Sequence, residues 1–127
     1  MKIIPIQNKN QLLAIKYSTN YVIFLVFGKK CDPCQKLKPK LIEFLQKHDS
    51  VEHEFNLVLI NYKISKEINE YFDLKKVPYL VFCKDTKIKG SIQSSKMELV
   101  IPVLNECFDL NLPDDDDKLD FDGDFDF

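Results

Sequence analysis

The chain has no arginine and no tryptophan, so all 18 of its basic residues are lysine. Cysteine is sparse as well. Four in 127 residues are too few for the dense cross-linking that holds small secreted domains together. The longest unbroken apolar run, Tyr21 to Phe27, falls far short of the roughly 20 residues a helix needs to cross a bilayer. The opening residues, Met1-Lys2-Ile3-Ile4-Pro5, lack the long apolar stretch of a signal peptide. No segment repeats, which excludes a solenoid or other repeat array. Without a disulfide scaffold, a membrane span or a leader, the expectation is a soluble, cytoplasmic monomer that touches no membrane.

Apolar residues make up 45% of the chain, and the length suffices for one hydrophobic core without staples. The charges are unevenly placed. Residues 1–112 carry 17 Lys against 12 acidic residues, an excess of five positive charges. Residues 113–127, PDDDDKLDFDGDFDF, carry eight Asp against one Lys, an excess of seven negative charges. The composition therefore divides the chain into a folded domain, 1–112, and an acidic tail, 113–127. The tail has no helical period and repels itself, so it is expected to be disordered in isolation. It is either a solubilising appendage or a recruitment peptide for a protein partner. Its Phe-Asp-Phe end is similar to the acidic tips of bacterial and phage single-stranded-DNA-binding proteins. No direct nucleic-acid binding is expected.

Within the domain, strand and helix signals alternate. Lys2–Ile6 reads as a short strand, and 8–18 as a short helix carrying Leu12, Leu13 and Ile15. Tyr21–Phe27 is apolar throughout, as a strand covered on both faces is. Leu37, Leu41, Phe44 and Leu45 mark one face of a helix from Cys34 to about His48. Phe55–Ile60 is a second buried strand. Ile64, Ile68, Tyr71 and Phe72 fit another amphipathic helix. Tyr79–Cys83 is a third apolar strand, and Lys87–Ile92 pairs with it across a short turn. Met97, Val100, Ile101, Leu104 and Phe108 recur at helical spacing, with Ser95 and Glu98 as a capping box. Pro102 should break that helix or delay its start.

The chemistry concentrates in Phe27-Gly28-Lys29-Lys30-Cys31-Asp32-Pro33-Cys34, where the first apolar strand passes into a helix. A cysteine at a helix N-terminus faces unpaired N–H groups and the positive end of the helix dipole. Both favour the thiolate, the nucleophilic form, and lower the thiol pKa from about 8.5. Lys29 and Lys30 act in the same direction, while Asp32 opposes them from an exposed position. Cys34, one turn on, is close enough to close a disulfide. Strand, C-x-x-C and helix together describe a thiol–disulfide redox centre. A structural or zinc-binding pair is the alternative, but zinc needs four ligands, and Cys83, Cys107, His48 and His53 offer no second close pair. Cys83 and Cys107 are expected in buried or half-buried positions, and the two histidines in solvated ones.

The order βαβαββα, with C-x-x-C opening the helix after the second strand, resembles the thioredoxin family. Cys31-Asp32-Pro33-Cys34 is close to the family's Cys-Gly-Pro-Cys. Pro39 stands where the family kinks its active-site helix. Val77-Pro78-Tyr79 looks like its cis-proline loop, and Gly90 like the glycine it keeps near the end of the fourth strand. The resemblance implies an α/β fold, a central mixed sheet of about four strands flanked by helices. It also implies a thiol–disulfide oxidoreductase that reduces protein disulfides without a cofactor or metal. Cys31 would be the attacking thiol and Cys34 the resolving one. A thioredoxin-reductase-type or glutathione donor would supply the electrons. Pro78, if cis, would leave Val77 extended beside Cys31 to pair with a substrate strand. Four positions depart from the pattern. Leu25 replaces the buried aspartate six residues before the first cysteine. Lys30 and Phe27 stand in place of tryptophans, and Asp32 in place of the motif glycine. The second reading is a thioredoxin-like scaffold or subunit that acts through its lysines and tail.

Overall fold

The computed structural model describes residues 1–18 and 21–114. Most of the acidic tail, 115–127, lies outside the described residues, and so does the disorder expected for it. The elements are β1 (Lys2–Pro5), α1 (Lys9–Ser18), β2 (Tyr21–Phe27), α2 (Asp32–His48), β3 (Phe55–Asn61), α3 (Lys66–Tyr71), β4 (Tyr79–Lys84), β5 (Lys87–Ile92) and α4 (Met97–Phe108).

The strands form one sheet in the order β1-β3-β2-β4-β5. β1, β3 and β2 are parallel, and β4 and β5 run antiparallel to their neighbours. β2 lies at the centre because it is apolar on both faces. Ile23 and Leu25 point to a cluster formed with α2 and α4, and Val22, Phe24 and Val26 to one formed with α1 and α3. This is the two-residue alternation of a strand, with each face covered by helices. The register also fixes which loops meet. Val26, next to the end of β2, is opposite Tyr79, the start of β4. The loop after β2 and the segment before β4 therefore come together at one end of the sheet.

Four expectations need correction. The sheet has five strands, not about four. β1 is only four residues long and mostly exposed, so its pattern is weak, yet it pairs with Asn56–Leu59 at the edge. Ile64 is 49% exposed and precedes α3. The helix is capped by Ser65, whose Oγ accepts from Ile68 N–H at 3.2 Å. The Ser95–Glu98 capping box does not form. Lys96 is the N-cap residue without a side-chain bond, and Ser94 Oγ accepts from Lys96 N–H at 3.0 Å. Pro102 neither breaks α4 nor delays it. Pro102 and Glu98 are both exposed, so the carbonyl deprived of its helical partner lies on the water side, where the loss is small.

After α4 the chain turns back at Asp109, which adopts a left-handed φ of 54°. Asn105 then holds Leu112 twice: its Nδ2 donates to the Leu112 carbonyl, and its Oδ1 accepts from Leu112 N–H, both at 3.0 Å. The returning segment brings Asp114 to a surface hollow beside Lys40, Ser95 and Lys96, at the N-terminus of α4.

Candidate redox site

The site is built on the turn between β2 and α2. Gly28 is buried, and a Cβ added there would lie 2.9 Å from the Tyr62 ring. The absence of a side chain is what lets Tyr62 approach. Gly28 O accepts from Cys31 N–H at 3.3 Å and closes the turn.

Cys31 is the N-cap of α2, with extended backbone (φ −97°, ψ 105°). Its Sγ accepts from Cys34 N–H at 3.2 Å, so the sulfur fills the place usually taken by a capping oxygen. Pro33 sits in the first turn, where its missing N–H would have had no helical partner. Cys31 and Cys34 are joined as a disulfide, with their Cα atoms 5.2 Å apart. Cys34 is 2% exposed and Cys31 half-buried, the asymmetry expected of a resolving and an attacking sulfur. Lys29, Lys30 and Asp32 are exposed at the rim.

The segment before β4 supplies the facing wall. The Val77–Pro78 peptide is cis. Cys31 Sγ lies 3.9 Å from the Val77 carbonyl oxygen. The fold thus brings Cys31, Cys34, Val77 and Pro78 together, although Val77 is 46 residues beyond Cys31 in the chain. A groove of about 270 Å³ opens beside Cys31 and Val77, bounded by Lys29, Lys30, Tyr62 and Lys63. Nothing in the local sequence singles out Tyr62 and Lys63. They directly follow β3, and only its parallel pairing with β2 places them at this end of the sheet.

Leu25 has no solvent exposure and lies in the cluster with Ile23, Leu37, Leu41 and Leu80. Pro39 is exposed within an unbroken α2. Gly90 lies against Cys107: a Cβ there would stand 2.7 Å from Cys107 Sγ, so that thiol would have to shift.

Cys83 and Cys107 are free thiols, buried and half-buried, and belong to clusters on opposite faces of the sheet. Burial pushes the Cys83 thiol up to about 11 and also raises that of Cys107. Both are therefore neutral and poorly nucleophilic near pH 7. His48 and His53 are half-buried rather than solvated: His48 packs on Phe44, with ring centres 4.6 Å apart, and His53 on Phe55 at 5.5 Å. Among the described residues, no group of three or more His, Cys, Asp or Glu is placed to hold a metal ion. Nor is any helix among them long and apolar enough to cross a membrane.

A helix capped by the first cysteine of a disulfide-forming C-x-x-C, facing a cis-proline loop, defines the class of dithiol redox folds. The family model for thioredoxin matches residues 2–103, and the chain belongs to the thioredoxin family. Its fold is similar to that of mitochondrial thioredoxin 3 from Saccharomyces cerevisiae in the oxidised form. The TM-score is 0.74 at 16% identity, over 82% of this chain and 94% of that one. It is also similar to a mutant thioredoxin from Halobacterium salinarum, with a TM-score of 0.72 at 19% identity, over 88% and 95% of the two chains. Plasmodium falciparum thioredoxin gives 0.67 at 12% identity, over 81% and 97%. No curated protein matches the chain by sequence.

Proposed function

We propose that this thioredoxin-family chain is a protein-disulfide reductase working through a Cys31/Cys34 dithiol–disulfide cycle. The observation that carries the reading is the position of Cys31 Sγ. It caps α2, accepts the Cys34 N–H, and lies beside the backbone of Val77. In the reduced protein the same N–H and the helix dipole stabilise a thiolate at that sulfur. Lys30 adds a nearby positive charge.

The cycle balances as follows. The Cys31 thiolate attacks one sulfur of a substrate disulfide and forms a mixed disulfide, and the other substrate sulfur leaves as a thiolate that takes up a proton. Cys34 loses its proton and attacks Cys31 Sγ. The Cys31–Cys34 bond forms, and the second substrate sulfur leaves and is protonated. The substrate gains two electrons and two protons, and the protein loses two electrons, the Cys34 proton and the proton Cys31 gave up on ionising. A dithiol reductase of the thioredoxin-reductase type, or glutathione, returns them. Val77 would align the substrate by pairing its backbone with an extended segment of the target. Leu25 offers no carboxylate to receive the Cys34 proton, which passes to water or buffer instead.

Residues 1–112 would act as the catalytic unit, as a monomer in the cytoplasm, with 113–127 as an appendage that binds a protein partner or keeps the chain soluble. The second reading, a scaffold acting through its lysines and tail, is favoured by Leu25 and the acidic tail. Reduction of insulin disulfides with a thiol donor decides between them. The proposal expects catalysis well above the donor alone, and a rate equal to the donor alone would leave the scaffold reading standing.

A further inference from the structure

We infer that the groove beside Cys31 selects disulfides carried next to acidic residues. The inference rests on the reductase reading and adds to it a substrate class and the residues that choose it. Three lysines, Lys29, Lys30 and Lys63, border the groove, and no carboxylate among the described residues lines it. All three are exposed, and none is in an ion pair among the described residues. Lys63 Nζ lies 5.9 Å from the centre of the Tyr62 ring, which itself borders the groove. Lys76, exposed, precedes Val77 on the facing wall. Two carboxylates stand nearby, and Asp32, at the same rim, offsets part of this charge. Asp32 is exposed on α2, and Asp73 is engaged by Lys75 at 3.2 Å.

The geometry turns this charge into selectivity. A substrate strand paired with Val77 places its cysteine at Cys31. Its neighbouring residues follow at about 3.3 Å per step. An Asp or Glu within two residues of that cysteine would lie within about one Debye length of the rim, roughly 8 Å at physiological salt. Attraction there raises the encounter rate and holds the register, and a basic neighbour is repelled.

The test uses the full chain, reduced and freed of donor, and two symmetric peptide disulfides. One peptide has Asp and Glu on both sides of its cysteine, and the other has Asn and Gln at the same places. Each rate constant is divided by that for dithiothreitol with the same peptide, which removes intrinsic reactivity. The acidic-to-neutral ratio is expected to be on the order of tenfold at low ionic strength. It should fall towards one in about 1 M salt, where screening acts within about 3 Å. Lys63→Glu should lower the ratio and Lys63→Arg preserve it. If Lys63→Glu fails to fold, Lys63→Gln and the salt series on the unaltered chain make the same measurement. A ratio near one at low salt, or one indifferent to Lys63→Glu, overturns the inference while leaving the reductase reading intact. Failure to reduce either peptide, together with no reduction of insulin, overturns both.

Discussion

Leu25 lies directly opposite Leu80 in the antiparallel pairing of β2 with β4, and neither side chain has any solvent exposure. A carboxyl introduced by Leu25→Asp would enter an apolar cluster and hold its proton more tightly than a free aspartate. We expect a loss of about 3 kcal/mol in stability, seen as a lower melting temperature. Turnover near pH 7 should nevertheless rise, because the new group can accept the Cys34 proton. Unchanged turnover at matched folded fraction would show that removing this proton is not limiting.

The two cysteines of the disulfide should fail differently. Cys31→Ser removes the sulfur that caps α2 and should reduce insulin turnover to the rate of the donor alone, with more than a few per cent remaining counting against Cys31 as nucleophile. Cys34→Ser leaves the attack possible and removes the resolving sulfur. A mixed disulfide with substrate should then accumulate, visible as a shifted band on a non-reducing gel.

Thiol labelling should separate the four cysteines into two groups. With the disulfide reduced, a neutral alkylating reagent at pH 7 should modify Cys31 first. Cys83, buried and pushed up to about 11, should react only when the chain is unfolded. Mass spectrometry of the labelled peptides reads this directly, and rapid native labelling of Cys83 would contradict its place in the core.

Asp49 gives the fold an acid-sensitive tie. The terminal amine of Met1 donates to Asp49 Oδ2 at 2.9 Å, and Phe55 N–H donates to Oδ1 at 2.9 Å. These bonds, the amine's first, lower the pKa of Asp49 below 3.8. A carboxylate with a lowered folded pKa contributes stability that is present above its unfolded pKa. That contribution is lost as the pH falls through the folded value. Asp49→Asn should therefore cost about 1 kcal/mol at pH 7, the pair being partly open to solvent. The variant should also lose less stability than the parent on titration below about pH 4. Denaturant melts at pH 7 and pH 3 provide the comparison.

Removing residues 113–127 should leave the disulfide chemistry unchanged. Leu112 is the last residue that Asn105 holds through both of its backbone groups. The formal charge changes from −2 to an excess of five positive charges, so retention on a cation exchanger should rise and depend strongly on salt. A fall in melting temperature of more than a few degrees would mean that the tail belongs to the folded core.

What the sequence discloses depends on whether the signal is local. β2 is legible to its end residues because Tyr21–Phe27 is apolar on both faces, and that pattern needs no partner to be recognised. Cys31, Pro33 and Cys34 announce a helix start from neighbouring residues alone. Ser95 and Glu98 have the spacing of a capping box, but the helix starts one residue later than that pattern requires: Lys96 is the N-cap without a side-chain bond, and Ser94 Oγ accepts from Lys96 N–H ahead of the helix. Tyr62 and Lys63 stay hidden for a different reason. Their place beside Cys31 follows from β3 crossing to lie parallel with β2, a pairing between segments distant in sequence. The histidines read as solvated because an isolated polar residue near a helix end defaults to the surface, although the rings they pack against are close in sequence: Phe44 is one turn before His48, and Phe55 two residues after His53.

The course of the chain after α4 bears on how the molecule is handled. Asp114 lies with Ser95 and Lys96 at the end of the sheet that carries the disulfide, whereas Met1 is tied to Asp49 just past the far end of α2. A surface support or fluorophore attached through Met1 would sit at the face remote from the sulfurs, although it would displace the amine from Asp49. Immobilisation through Met1 should therefore leave the Cys31–Cys34 end of the sheet facing the surroundings.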